Sequence, residues 1–248
     1  MLGFLHVLKP LDGDQASFLL GAQVIDEGRR LYIDYWDLKQ PGVFVFYWLA
    51  GRLFGFDTWG IHLGELAYWA IVALLSMPLL KNFLVDRRLA VFVPVLFLAI
   101  YFGGSTAWHA TQVEALVGGP LLLAILLVAT GMTNRQQALR WYFLAGAVAG
   151  FALWLKFAFA TAFMAIFAAI WIDQWFIAGG RSLRPYLFSA AAVIAGVLFI
   201  STPMLLWLLT QGNLAALYDA SVNYPMEAIA TAVPSSPVNL VRRILNGL

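Results

Sequence analysis

Cysteine is missing from the chain altogether, which excludes disulfides, thiolate nucleophiles and Cys-based metal sites and leaves redox chemistry silent about compartment. Charge is nearly as scarce. Only 11% of the 248 residues are charged, against about a quarter in soluble globular domains. The net charge of +2 is small and the basic residues lie scattered between apolar runs, so a nucleic-acid partner is not expected. The N-terminal MLGFLHVL has neither a basic start nor a small-residue cleavage site and does not read as a signal peptide. Metal-ligand spacing is wanting as well, since His109 precedes Glu114 by five residues and not by the four that align two ligands on one helix face.

What remains is greasy. At 62% hydrophobic residues and a mean hydropathy of +0.82, the composition is that of an all-α polytopic membrane protein. A bilayer core of roughly 30 Å needs about 20 helical residues. On that measure about six spans are expected: Gly60 to Leu80, Leu89 to Phe102 with its flanks, Thr111 to Thr130, Trp141 to Leu155, Phe157 to Phe176 and Pro185 to Leu209. Val43 to Phe56 is apolar but short, as an interfacial or re-entrant helix would be. The chain thus divides into a loop region with interfacial helices (1–58), a transmembrane bundle (59–209) and a more polar segment (210–248), all one membrane-embedded module. The final Val241 to Leu248 breaks off inside an amphipathic helical pattern, and the start resembles the tail of a missing span, so a fragment of a longer protein is expected.

The basic residues give a direction. Loops after the first, third and fifth spans carry Lys81, Arg87, Arg88, Arg135, Arg140, Arg181 and Arg184, whereas Gly103 to Ala110 carries none. By the positive-inside rule the basic loops are cytoplasmic. The opposite, extracytoplasmic side then receives residues 14–42, Trp108-His109, Glu114, Lys156 and the segment from Asn213 onward.

Residues 14–42, DQASFLLGAQVIDEGRRLYIDYWDLKQPG, form nearly the only long polar passage. Asp12-Gly13-Asp14 reads as a helix start, where a carboxylate caps free N–H groups and faces the positive end of the dipole. Phe18, Leu19, Ala22 and Ile25 give helical periodicity, and Gly28 suits the left-handed end. Then acids, aromatics and one lysine alternate from Tyr32 to Gln40 before Pro41-Gly42 marks a turn. Glu114, an acid entering an apolar helix, is a functional-site candidate by its cost alone. Each has a plainer reading: Asp14 as a helix cap, Lys39 snorkelling to headgroups, Lys156 as an anchor between two spans, Gly118-Gly119-Pro120 as a kink or a close helix contact.

Asp14-Gln15, Tyr32-Ile33-Asp34-Tyr35-Trp36-Asp37-Leu38-Lys39-Gln40-Pro41-Gly42, Tyr47 and Leu53-Phe54-Gly55 together resemble the first extracytoplasmic loop of the protein mannosyltransferase-like and aminoarabinose-transferase-like families of C-type glycosyltransferases. Glu114 resembles an acidic residue at the outer start of a later helix in those enzymes, Gly150 to Lys156 resembles their Gly-x-x-x-x-x-Lys element, and Asn223-Tyr224 is a fainter echo. The pattern departs at Gln15, which replaces a Glu, at Ser17, where some members carry Arg, and at Gln40, which replaces a Pro.

The resemblance implies a transferase using a polyprenyl-phosphate-linked sugar on the extracytoplasmic face of a bacterial inner or plasma membrane, the acceptor being lipid, glycan or protein. Asp14 would be the base and Glu114 its catalytic companion; Lys39 and Lys156 would bind the donor phosphate. Asp34 and Asp37 would bind sugar hydroxyls or a divalent metal ion, and Tyr35 and Trp36 would stack on a sugar ring. Asp14, Asp37 and Glu114 would have to meet in space to hold such an ion. Membrane lipids are the other expected partner. Two other classes fit the composition: a transporter or flippase with Glu114 and Lys156 along its path, for which matching halves or repeats are not found, and a non-catalytic membrane scaffold.

Overall fold

The computed structural model describes residues 7–106, 109–177, 179 and 182–232. The expectations placed on the first six residues, on Trp108 and Arg181 and on the Val241 to Leu248 helix lie outside the described residues. The protein is an all-α polytopic membrane protein, and no strand forms among the described residues. Among the described residues two helices come first, α1 (Asp14–Asp26) and α2 (Pro41–Phe54). The bundle follows as α3 (Thr58–Leu80), α4 (Leu89–Gly104), α5 (Val113–Thr133), α6 (Ala138–Leu155), α7 (Thr161–Ile172) and α8 (Arg184–Thr210). Short helices α9 (Leu214–Tyr218) and α10 (Tyr224–Ala232) flank a π-helical turn at Asp219–Asn223.

Among the described residues five helical stretches are long and apolar enough to cross a membrane: Thr58–Leu80, Val113–Thr133, Arg135–Leu155, Phe157–Ile177 and Arg184–Thr210. Short 3-10 turns at Arg135–Gln137 and Phe157–Ala160 complete two of them. The remaining expected span, α4, has 16 residues and is about 24 Å long at 1.5 Å per residue, because Lys81 to Arg88 fold as turns and do not lengthen it. The expected short apolar helix is present as α2.

The start of α1 differs from the sequence expectation in its chemistry. No carboxylate caps the helix; Gly13 occupies the cap position with φ +49°, and the Gln15 side chain reaches back to accept the Asp12 N–H at 3.0 Å. That leaves the Asp14 carboxylate for another partner. The helix ends as expected, with Gly28 at φ +71° and the Arg29 N–H donating to the Val24 carbonyl at 3.0 Å. Pro41, expected in a turn, instead opens α2, where its fixed φ suits the first helical turn and its missing N–H is no loss.

Because α5 and α6 are antiparallel neighbours, the start of α5 and the end of α6 share one end of the bundle. Gly146 and Gly196 bring α6 and α8 into backbone contact, since a Cβ on either would collide with the carbonyl of Val193 or Phe143. A buried core joins this end to the two leading helices through Phe18, Phe44, Tyr47, Val113, Leu116 and Leu155. At the other end Arg135 clasps Asp173 with two hydrogen bonds of 2.5 and 2.8 Å. Lys81, Arg87, Arg88, Arg140 and Arg184 are exposed at that same end.

Candidate active site

Four charged side chains from four separate parts of the chain meet at the end of the bundle that carries α1 and α2. Asp14 opens α1, Lys39 ends the loop before α2, Glu114 lies in the first turn of α5, and Lys156 follows the last residue of α6. Lys39 Nζ donates to Asp14 Oδ2 at 2.7 Å, and Lys156 Nζ donates to Glu114 Oε1. Lys39 also lies within electrostatic reach of Glu114, so the two ion pairs form one group. Both carboxylates sit at helix N-termini, where the dipole favours negative charge.

Their meeting has a local cause at Gly42. A Cβ there would stand 2.5 Å from the Trp154 carbonyl oxygen, so only glycine lets the start of α2 rest on the end of α6. Lys39 and Lys156, each just outside one of these helix ends, are thereby drawn to the same corner. The Lys39 backbone is fixed on both sides: its N–H donates to Asp37 Oδ1 at 3.0 Å and its carbonyl accepts the Tyr32 hydroxyl at 2.7 Å. The ammonium stands 5.6 Å from the centre of the Phe18 ring.

The other sequence candidates are spread around this group and are not all turned toward it. Asp37 holds the Lys39 backbone. Asp34 accepts the Arg30 N–H at 2.7 Å and pairs with its guanidinium, closing the turn after α1. The Tyr35 hydroxyl donates to the Ser17 carbonyl at 2.8 Å and its ring meets Phe44 edge-on, tying the loop to α1 and α2. Trp36 stays exposed and packs edge-to-face on Tyr224 at 5.0 Å, which brings α10 against the loop. Burial, with the nearby Asp37 charge in support, pushes the Tyr32 hydroxyl well above its ordinary value; burial raises Tyr35 too. Both phenols stay neutral donors near neutral pH.

Asp14, Asp37 and Glu114 do not gather as a metal centre: among the described residues no three His, Cys, Asp or Glu side chains converge to hold an ion. His109 is occupied with the Thr106 hydroxyl at 2.7 Å.

Behind the four charges lies a buried polar group that sequence reasoning passes over. His62 and Glu65, one turn apart in α3, are both fully buried, and Thr111 and Gln15 are buried with them. The signal was an acid in the middle of an apolar span, the same cost that marks Glu114. Gln15, where the resembling families carry Glu, uses its amide to donate to the Ala110 carbonyl and so links α1 to the loop before α5. No family model, no curated protein and no solved structure matches the chain.

Proposed function

We propose that the chain is a membrane glycosyltransferase that moves a sugar from a polyprenyl-phosphate carrier to a hydroxyl acceptor, with Asp14 as the base and Lys39 as the first cation for the departing phosphate. The observation that carries this reading is the gathering of two carboxylates and two ammoniums at one end of an otherwise apolar bundle. In the proposed step the acceptor oxygen bonds to the anomeric carbon while the bond from that carbon to the phosphate oxygen breaks. The hydroxyl proton passes to Asp14, and the electron pair of the broken bond leaves on the polyprenyl phosphate, whose oxygens Lys39 and Lys156 neutralise. Glu114 holds Lys156 and orients the acceptor beside Asp14.

The ion pairs suit this role because they are accessible. The side chains of Asp14 and Lys39 are 53% and 32% exposed, and a pair so placed is worth only about 0–1 kcal/mol, so an incoming phosphate can replace the carboxylate at Lys39 at little cost. The exposed cations at the far end of the bundle support an extracytoplasmic position for the site. A prenyl tail would remain among the lipid-facing helices while only the headgroup enters the polar corner.

Transfer from a panel of polyprenyl-phosphate sugars by the full chain in nanodiscs tests the reading. Asp14→Asn is expected to lower kcat by about 10²–10⁴-fold with unchanged helicity and melting. Lys39→Met should weaken both donor binding and turnover. Wild-type rates in both variants would remove these residues from the chemistry.

A further inference from the structure

Glu65 is a costly side chain to place: a carboxylate, fully buried, on a helix that contributes nothing to the four-charge group. Its oxygens are fully engaged. Oε1 accepts the Tyr101 hydroxyl of α4 at 2.5 Å and the Thr111 N–H at 2.8 Å. Oε2 accepts the Thr111 hydroxyl at 3.0 Å and faces His62 Nδ1 at 3.4 Å. His62 Nε2 donates to the Lys9 carbonyl at 3.0 Å, since a carbonyl only accepts, and Nδ1 also lies 3.2 Å from the Thr111 hydroxyl.

What Glu65 holds is a strained hinge. Thr111 has φ +54°, a left-handed conformation that a β-branched residue keeps only where its surroundings over-determine it. Both of its donors go to Glu65, and its carbonyl accepts the Tyr47 hydroxyl of α2 at 3.1 Å. Thr111 stands three residues before Glu114. The preceding residue, Ala110, takes the Gln15 amide, and Gln15 is the neighbour of Asp14. One buried carboxylate therefore fixes the loop from which both acids of the site take their places.

We propose that Glu65, seated with His62, is a positioning residue that sets the separation of Asp14 and Glu114. Its bearing on catalysis rests on the transferase reading; its bearing on geometry does not. A residue serving only stability would lower the melting temperature and leave the separation below melting unchanged.

The cysteine-free chain allows a direct test. Spin labels at Ala16→Cys on α1 and Gln112→Cys before α5, in nanodiscs, report that separation by pulsed dipolar spectroscopy. Gln112 makes no capping bond, so its replacement is tolerable. The parent should give one narrow distance distribution. Glu65→Gln, which exchanges one acceptor oxygen for a donor, and Thr111→Gly, which removes the hydroxyl and the strain, should each broaden or shift it. Should Glu65→Gln fail to fold, Thr111→Gly decides. An unchanged narrow distribution in the folded variants overturns the proposal. In the transfer assay, Glu65→Gln should lower kcat by about 10²-fold with donor KM unchanged, as expected for misplaced reacting groups. A shifted distance in a chain whose parent transfers no sugar would leave the positioning role standing and sink the transferase reading.

Discussion

Lys39 is held more firmly by its backbone than by its ion pair. Its N–H, its carbonyl and the ring beneath its ammonium are all fixed, whereas the ion pair itself is half in solvent. Tyr32 is the buried part of this clamp, and it makes the loop sensitive to alkali. Burial raises its folded pKa, so the unfolded chain ionises this phenol first, near pH 10, while the folded chain keeps its proton. The stability tied to the neutral phenol is fully present below about pH 10 and is lost as pH climbs from there toward the folded value. Melting followed from pH 8 to pH 11 should show this loss, and Tyr32→Phe should flatten it while lowering stability at pH 8 by about 1 kcal/mol through the lost hydrogen bond to Lys39. A parent and variant with parallel profiles would show that Tyr32 is not the group responsible.

At the scale of elements, glycines set how closely helices approach. Gly42 places α2 on α6, and Gly146 with Gly196 places α6 on α8, in each case backbone against backbone. Gly118 is a natural control, since a Cβ there meets only the Trp69 ring at 3.7 Å. Gly42→Ala should destabilise by about 1–3 kcal/mol as α2 is forced off the end of α6, and should slow any transfer by moving Lys39 away from Lys156. Gly118→Ala should be neutral or slightly stabilising, as replacing glycine inside a helix generally is. Equal melting shifts for the two would mean that the Trp154 backbone yields and that Gly42 is not needed for contact.

For the whole molecule the testable quantity is sidedness. Ala16 is exposed beside Asp14, and Arg87 is exposed at the far end of the bundle. Ala16→Cys should react in intact cells with a membrane-impermeant thiol reagent, and Arg87→Cys should react only after the membrane is opened. The reverse pattern would put Asp14 and Lys39 on the cytoplasmic side, away from the face proposed for lipid-linked sugars.

Composition and periodicity alone determined that this chain is helical and membrane-embedded, because apolar runs of about 20 residues have no other way to satisfy their backbone in a bilayer. They also located α2 as a short apolar helix, and Gly28 as the end of α1, since left-handed φ is a local property of one residue. The charges of Asp14, Lys39, Glu114 and Lys156 were legible one by one as exceptions in a greasy chain. Their pairing was not: it depends on Gly42 touching Trp154, a contact between residues more than a hundred positions apart, and on α5 and α6 running antiparallel. The tertiary structure likewise decided that Asp14 serves Lys39 and not its own helix cap, that Asp34, Tyr35 and Asp37 brace the loop, and that Glu65 and His62 lie behind the site. A buried carboxylate is tolerable only when donors from other segments converge on it, and that convergence is made by the fold as a whole.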